Sequence, residues 1–97
     1  KFLKSYPGSS FVSSAHYWIG NSYYAMRDFK NAISTQEKLI NVFPESAKAP
    51  DAMLNIASSQ QEMNKKAAAQ KTLENLVAKY PGSEGAEKAK RRLVSQK

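Results

Sequence analysis

His16 is the single imidazole of this 97-residue chain, set in "AHYW" beside Tyr17 and Trp18. An imidazole can act as a general base or as a metal ligand, but either task needs company. There is no cysteine and no second histidine to build a zinc site around it. Serine is plentiful, yet no nucleophile motif flanks any serine, and His16 is the only candidate base. The eight carboxylates fall at turns and on the outer faces of predicted helices. Nothing sets two of them together in an apolar setting that would split their pKa values. The four glycines, Gly8, Gly20, Gly82 and Gly85, are scattered and form no phosphate-cradling loop. His16 therefore reads as structural, and no catalytic residue, metal or cofactor is expected.

The other chemistry on offer is charge. Fifteen basic against eight acidic side chains give a net charge of +7, densest in "KAKRR" from Lys88 to Arg92. Such a balance suits nucleic acid, another polyanion or an acidic protein. On a helix Lys88, Arg91 and Arg92 share one side while Lys90 diverges, and no recognisable nucleic-acid docking motif accompanies them. A solvated helix face accounts for this stretch better than a basic binding module, which stays as the alternative reading. At 41% hydrophobic and 24% charged, the composition is that of an ordinary globular domain. No run approaches the roughly 20 apolar residues of a membrane span. The absence of cysteine fits an oxidising compartment and the cytosol alike.

What must position these residues is written as a repeat. "YPGS" stands at Tyr6–Ser9 and again at Tyr80–Ser83, with "FPES" at Phe43–Ser46, in two steps of 37 residues. At that offset Ala15, Ala52 and Ala89 coincide, as do Ile19, Ile56 and Leu93. Ala32 matches Ala69, Thr35 matches Thr72, Glu37 matches Glu74, and Leu39-Ile40 matches Leu76-Val77. Small and apolar residues at helical spacing are what packing between neighbouring helices selects.

Each unit resolves into a helical hairpin, so the fold class is all-α. The first helix is predicted to start near Ser9 or Ser10, with Phe11, Ala15, Tyr17, Trp18, Ile19, Tyr23, Tyr24 and Met26 recurring at three- and four-residue steps. After a tight connection at "MRDF" the second helix spans 29–42, with Ala32, Ile33, Gln36, Leu39, Ile40 and Phe43 inside. Further helices are predicted over about 47–63, 67–80 and 83–95, with Pro50 in an opening turn where a missing N–H costs little. Proline cannot continue a helix and pushes the preceding aromatic out of the α region. The aromatic thus ends one helix while the serine two residues past the proline can cap the next. The phrase is punctuation between hairpins.

The predicted organisation is a single domain over 1–97: the end of a truncated repeat at 1–7, repeats at 9–44 and 46–81, and a capping helix at 83–97. Hairpins of this length cannot bury their apolar faces alone and must stack. "KFLKSY" reads as the second helix of a preceding unit, so the chain is expected to be a piece of a longer protein. Trp18 is expected to pack against that helix, on Phe2 or Leu3.

These residues resemble tetratricopeptide repeats, which carry a small residue, an aromatic three later, alanine twelve later and proline twenty-four later. Gly20, Tyr23, Ala32 and Pro44 meet the pattern, and Ala57, Gln60, Ala69 and Pro81 meet it except at Gln60. The family usually repeats at 34 residues, and the extra three here fall between Pro44 and Ala57. The wording over Tyr6–Tyr24, Phe29–Ala32, Phe43–Ala52 and Tyr80–Leu93 further resembles bacterial Tol-Pal accessory proteins, the cell division coordinator CpoB (YbgF) family. "YPGSEGAEKAKRRL" is its most specific part. Outer-membrane assembly lipoproteins share the "YP.S" turn and are the nearest rival.

That resemblance implies a stacked superhelix in a periplasmic protein, with a signal sequence and a trimerising coiled coil elsewhere. Its implied partners are TolA and the Tol-Pal machinery, together with a peptidoglycan synthase, coordinating envelope constriction and wall synthesis at division. In this family the first helix of each unit lines a concave groove. Helical spacing places Ser14, Tyr17, Asn21 and Tyr24 on that line, then Asp51, Leu54, Ser58 and Gln61, then Lys88 and Arg91, with Ser95 after them. Tyr17 and Tyr24 either bind there or complete a contact with an upstream helix.

Overall fold

The computed structural model describes residues 7–95, with side chains from Val12 onward. The expectations for "KFLKSY", for Phe11 and for a seat of Trp18 on Phe2 or Leu3 lie outside the described residues. Five helices follow in order: α1 (Pro7–Ala25), α2 (Phe29–Val42), α3 (Ala49–Glu62), α4 (Lys66–Lys79) and α5 (Glu84–Ser95). Among the described residues there is no strand.

The ends of the helices show how the proline corners work. α1 begins at Pro7, before the expected Ser9 or Ser10. Proline's fixed φ suits a first turn, so Ser9 is already helical. Ser83 caps α5 as expected, its Oγ accepting the Ala86 N–H at 3.0 Å. Ser46 caps a turn rather than α3 itself, accepting from the Lys48 N–H at 3.1 Å. α3 then starts at Ala49, two residues later than expected, with Pro50 in its opening turn.

Both hairpins close identically. Arg27 and Asn64, one repeat apart, take left-handed φ values of 63° and 65°. Around them the Asp28 N–H reaches the Tyr23 carbonyl and the Lys65 N–H the Gln60 carbonyl, each at 2.8 Å. The Arg27 and Asn64 N–H groups bond to Tyr24 and Gln61 at 2.9 and 3.0 Å. This is the Schellman pattern, which satisfies helix-end carbonyls by turning one residue left-handed.

α2 lies between α1 and α3, α4 lies between α3 and α5, and α3 touches both α1 and α5. The first helices thus form one row and the second helices another. Two layers match the shortest dimension, 16 Å in an envelope of 43 × 29 × 16 Å. One cluster joins Met53, Ala57, Ala69, Leu73, Leu76 and Ala89, and a smaller one joins Leu39, Ala49 and Ala52. Ile40 and Tyr80 pack against both clusters, which makes the core continuous. Tyr80 also donates its hydroxyl to the Pro44 carbonyl, so the aromatic of one corner is tied to the proline of the previous one.

The apolar face of α1 departs from the expectation of burial. Trp18, Ile19 and Met26 are 57%, 50% and 65% exposed, and Ala15 is exposed as well. Their counterparts Ala52 and Ile56 are 0% and 5% exposed. The difference is positional: α2 covers that face of α3, and among the described residues no helix covers the same face of α1. On its other side α1 seats tightly on α2, where a Cβ added at Gly20 would come within 2.4 Å of Gln36 Nε2.

Candidate functional site

The first-helix row brings its inward side chains to one cavity of about 320 Å³. α1 contributes Tyr17, Asn21 and Tyr24; α3 contributes Asp51, Leu54, Asn55 and Ser58; α5 contributes Glu84, Lys88 and Arg92. Seven of the ten residues placed on the groove line by spacing meet there: Tyr17, Asn21, Tyr24, Asp51, Leu54, Ser58 and Lys88. Ser14, Gln61 and Arg91 do not line it. Their counterparts one repeat away, Asp51 for Ser14 and Tyr24 for Gln61, do line it. Arg91 is exposed, because α5 presents the residue four after Lys88, not three.

Spacing alone missed Asn55, Glu84 and Arg92. Asn55 and Arg92 occupy the same place in successive repeats, one step beyond Trp18 in the first. A tryptophan there drew attention to packing. The signal that could have revealed the site was the change to polar side chains in the next two copies.

Polar contacts knit the three helices at this cavity. Asn55 Nδ2 donates to Asn21 Oδ1 at 3.3 Å, joining α3 to α1. Arg92 donates to Ser58 Oγ at 2.7 Å, joining α5 to α3. Glycine allows the closest approach between α3 and α5, where a Cβ at Gly85 would lie 3.1 Å from the Pro50 backbone. The aromatic side chains are braced by neighbours. The Tyr17 ring meets Trp18 edge-on with centroids 5.2 Å apart, and Lys48 Nζ stands 5.2 Å from the Tyr17 centroid and 5.7 Å from that of Trp18. Tyr24 makes a T-shaped contact with Phe29, centroids 5.5 Å apart. Burial, and then the negative charge of Asp51, raise the Tyr17 pKa above its ordinary value, so at neutral pH this phenol is a hydrogen-bonding group.

His16 is occupied elsewhere. Its Nδ1 donates to the Val12 carbonyl at 2.9 Å, and its ring lies against Phe43 with centroids 6.2 Å apart. A carbonyl can only accept, so the proton sits on Nδ1 and the ring is held as a packing group. Among the described residues no group of three His, Cys, Asp or Glu side chains could hold a metal ion. Of the basic stretch, Lys90 pairs with Glu87 at 3.6 Å, and Arg92 is engaged with Ser58.

No curated protein matches the chain. A family model for the tetratricopeptide repeat does match it, over residues 14–46 and again over 51–83. Those matches cover two thirds of the 97 residues and start 37 residues apart, in phase with the proline corners. Each takes in one helical hairpin, α1–α2 and α3–α4, stacked with its neighbour as the sequence pattern requires. The chain therefore belongs to the tetratricopeptide repeat family.

Proposed function

We propose that this chain is a non-enzymatic adaptor that holds a segment of a partner protein against the inner face of α1, α3 and α5. Tetratricopeptide repeats are a protein-interaction fold, and one observation supports placing the contact here. Side chains from three successive repeat positions converge on a single cavity, and apart from Leu54 they are tyrosine, asparagine, serine and charged groups. Tyrosine supplies apolar area with a polar tip, and side-chain amides can pair with a peptide backbone. The contact would take in Tyr24 and Tyr17 on α1, Asp51, Leu54 and Ser58 on α3 and Lys88 on α5, with Ser14, Gln61 and Arg91 at its margins.

The finer reading is a Tol-Pal accessory protein of the periplasm, binding TolA and linking envelope constriction to peptidoglycan synthesis. It is supported by the wording of the corners and of the capping helix, above all "YPGSEGAEKAKRRL" at Tyr80–Leu93. The test is a titration of purified TolA with the wild-type chain and with a Tyr24→Ala, Asn21→Ala variant. Weakening of about tenfold or more in the variant is expected, the scale of losing an interface anchor. Equal affinity for both proteins would move the contact off this face. No binding of TolA by either would remove the Tol-Pal reading and leave the adaptor reading to other partners.

A further inference from the structure

Building on the groove reading, we infer that the segment it takes is proline-rich and extended, in the polyproline II form, read by Tyr17 and Tyr24. The two tyrosines lie seven residues apart on α1 and line the same cavity. Seven residues of α-helix are close to two turns and advance about 10.5 Å along one face. A polyproline II helix repeats every three residues and advances about 9.3 Å in doing so. On a segment lying along α1, prolines at i and i+3 therefore fall over one tyrosine and then the other.

The rings are also held in place by their neighbours. Tyr17 is braced by a T-shaped contact with Trp18 at 5.2 Å and by Lys48, and Tyr24 by a T-shaped contact with Phe29 at 5.5 Å. Braced rings and a ligand that is stiff before it binds lose little conformational entropy on meeting. Hydrogen-bonding capacity agrees. Proline has a carbonyl to accept with and no N–H to donate. Between the tyrosines stands Asn21, whose Oδ1 is taken by Asn55 Nδ2. Its own amide group has two N–H donors, which suit a ligand carbonyl.

Two other ligand chemistries fit this cavity less well. A strongly acidic segment would meet Asp51 and Glu84 as well as Lys88 and Arg92, two charges of each sign. An amphipathic helix would need an apolar trough, and Leu54 is the sole aliphatic side chain among the lining residues.

The experiment is a titration of the isotopically labelled chain with synthetic oligoproline, a glycine-serine peptide and a glutamate-serine peptide of equal length, followed by amide chemical shifts. Oligoproline is expected to shift Tyr17, Asn21 and Tyr24 saturably, and to bind more tightly than either control. Tyr24→Ala should weaken that binding about tenfold. Tyr24→Phe, which keeps the ring and guards against misfolding as the cause, should change it by less than about threefold. Oligoproline binding no tighter than the glycine-serine peptide would overturn the inference. So would groove shifts produced at lower concentration by the glutamate-serine peptide. Neither result touches the groove reading itself, which stands or falls on the Tyr24 and Asn21 dependence of partner binding.

Discussion

Two hairpins built to one pattern let single residues be compared with their own counterparts. At the crossing of α3 and α4, Ala57 and Leu73 meet in a fully apolar contact, both 0% exposed. At the crossing of α1 and α2 the same positions are Gly20 and Gln36. Gln36 is 0% exposed; its Nε2 donates to the Tyr17 carbonyl at 3.1 Å, but its Oε1 is buried with no partner. A buried unsatisfied carbonyl costs about 1–3 kcal/mol. Gln36→Leu should therefore raise stability by about 1 kcal/mol in urea denaturation. Gly20→Ala alone drives a methyl group into the glutamine amide and should cost about 1–3 kcal/mol. Made together, the two changes reproduce the Ala57–Leu73 pair and should couple favourably by about 1 kcal/mol or more. Strict additivity would mean that the glycine serves something other than the glutamine. Arg27 allows a second comparison, because both it and Asn64 are left-handed and asparagine tolerates that conformation better than arginine. Its ion pair with Glu62 is 3.9 Å long between side chains 77% and 45% exposed, and contributes little. Arg27→Gly should raise the thermal midpoint, by an increment worth about 1 kcal/mol. Asn64→Gly should leave it almost unchanged. The small residues at positions 20 and 57 are legible from the repeat pattern. The inward place of Gln36 is legible from helical spacing as well; that its amide lies against Gly20 with one oxygen unpartnered is not, because spacing along one helix says nothing of the atoms it meets on the next.

Among elements, the helices and their order could be read from apolar residues at three- and four-residue spacing, and the corners from proline. The departures occur where two local rules compete. Pro7 starts α1 and pre-empts Ser9, whereas at the last corner Tyr80 and Pro81 stop short of α5 and Ser83 is left to cap it. Gln60, where the family pattern asks for an aromatic, accepts a 2.7 Å hydrogen bond from Thr72 Oγ1, a polar tie between α3 and α4 in place of ring packing. On the candidate site, spacing held for most of α1 and α3, losing Ser14 and Gln61 and missing Asn55, and on α5 it chose the wrong arginine, because Arg92 is drawn in by Ser58 and Arg91 is left outside. Such a choice depends on the tertiary partner and is invisible along the helix itself. The cap on α5 yields a prediction for this scale. Ser83→Ala removes the acceptor of the Ala86 N–H and should cost about 1 kcal/mol. Because α5 packs on α3 and α4, the loss should show as faster amide exchange over Glu84–Ala89 while α2 stays unchanged. Uniform acceleration through all helices would show instead that α5 and the rest open as one unit.

For the whole molecule, the stack is not equally strong along its length. α3 buries eight residues, among them Ala49, Ala52, Met53, Ile56 and Ala57, between α2, α4 and α5. Among the described residues α1 has α2 and α3 beside it and leaves Val12, Trp18 and Ile19 at least 44% exposed. In a stack whose stability is a sum of unit and nearest-neighbour terms, the element with fewer covered faces opens at lower free energy. Trp18 is the sole tryptophan of the chain and sits on α1, so its emission reports that end alone, whereas far-ultraviolet circular dichroism reports all five helices. In urea the Trp18 transition is expected to come at lower denaturant than the helical one, and amides near Ile19 should exchange at least about fivefold faster than those near Ile56, a difference of about 1 kcal/mol. Coincident transitions would mean that α1 and α3 unfold together. The groove spans this gradient, with both tyrosines on the weaker helix and Lys88 and Arg92 on α5. A ligand lying across α1 and α3 must therefore draw the two curves together as it saturates, since binding to the folded groove stabilises α1 against separate opening. A partner that binds without closing the gap between them is contacting α3 and α5 alone.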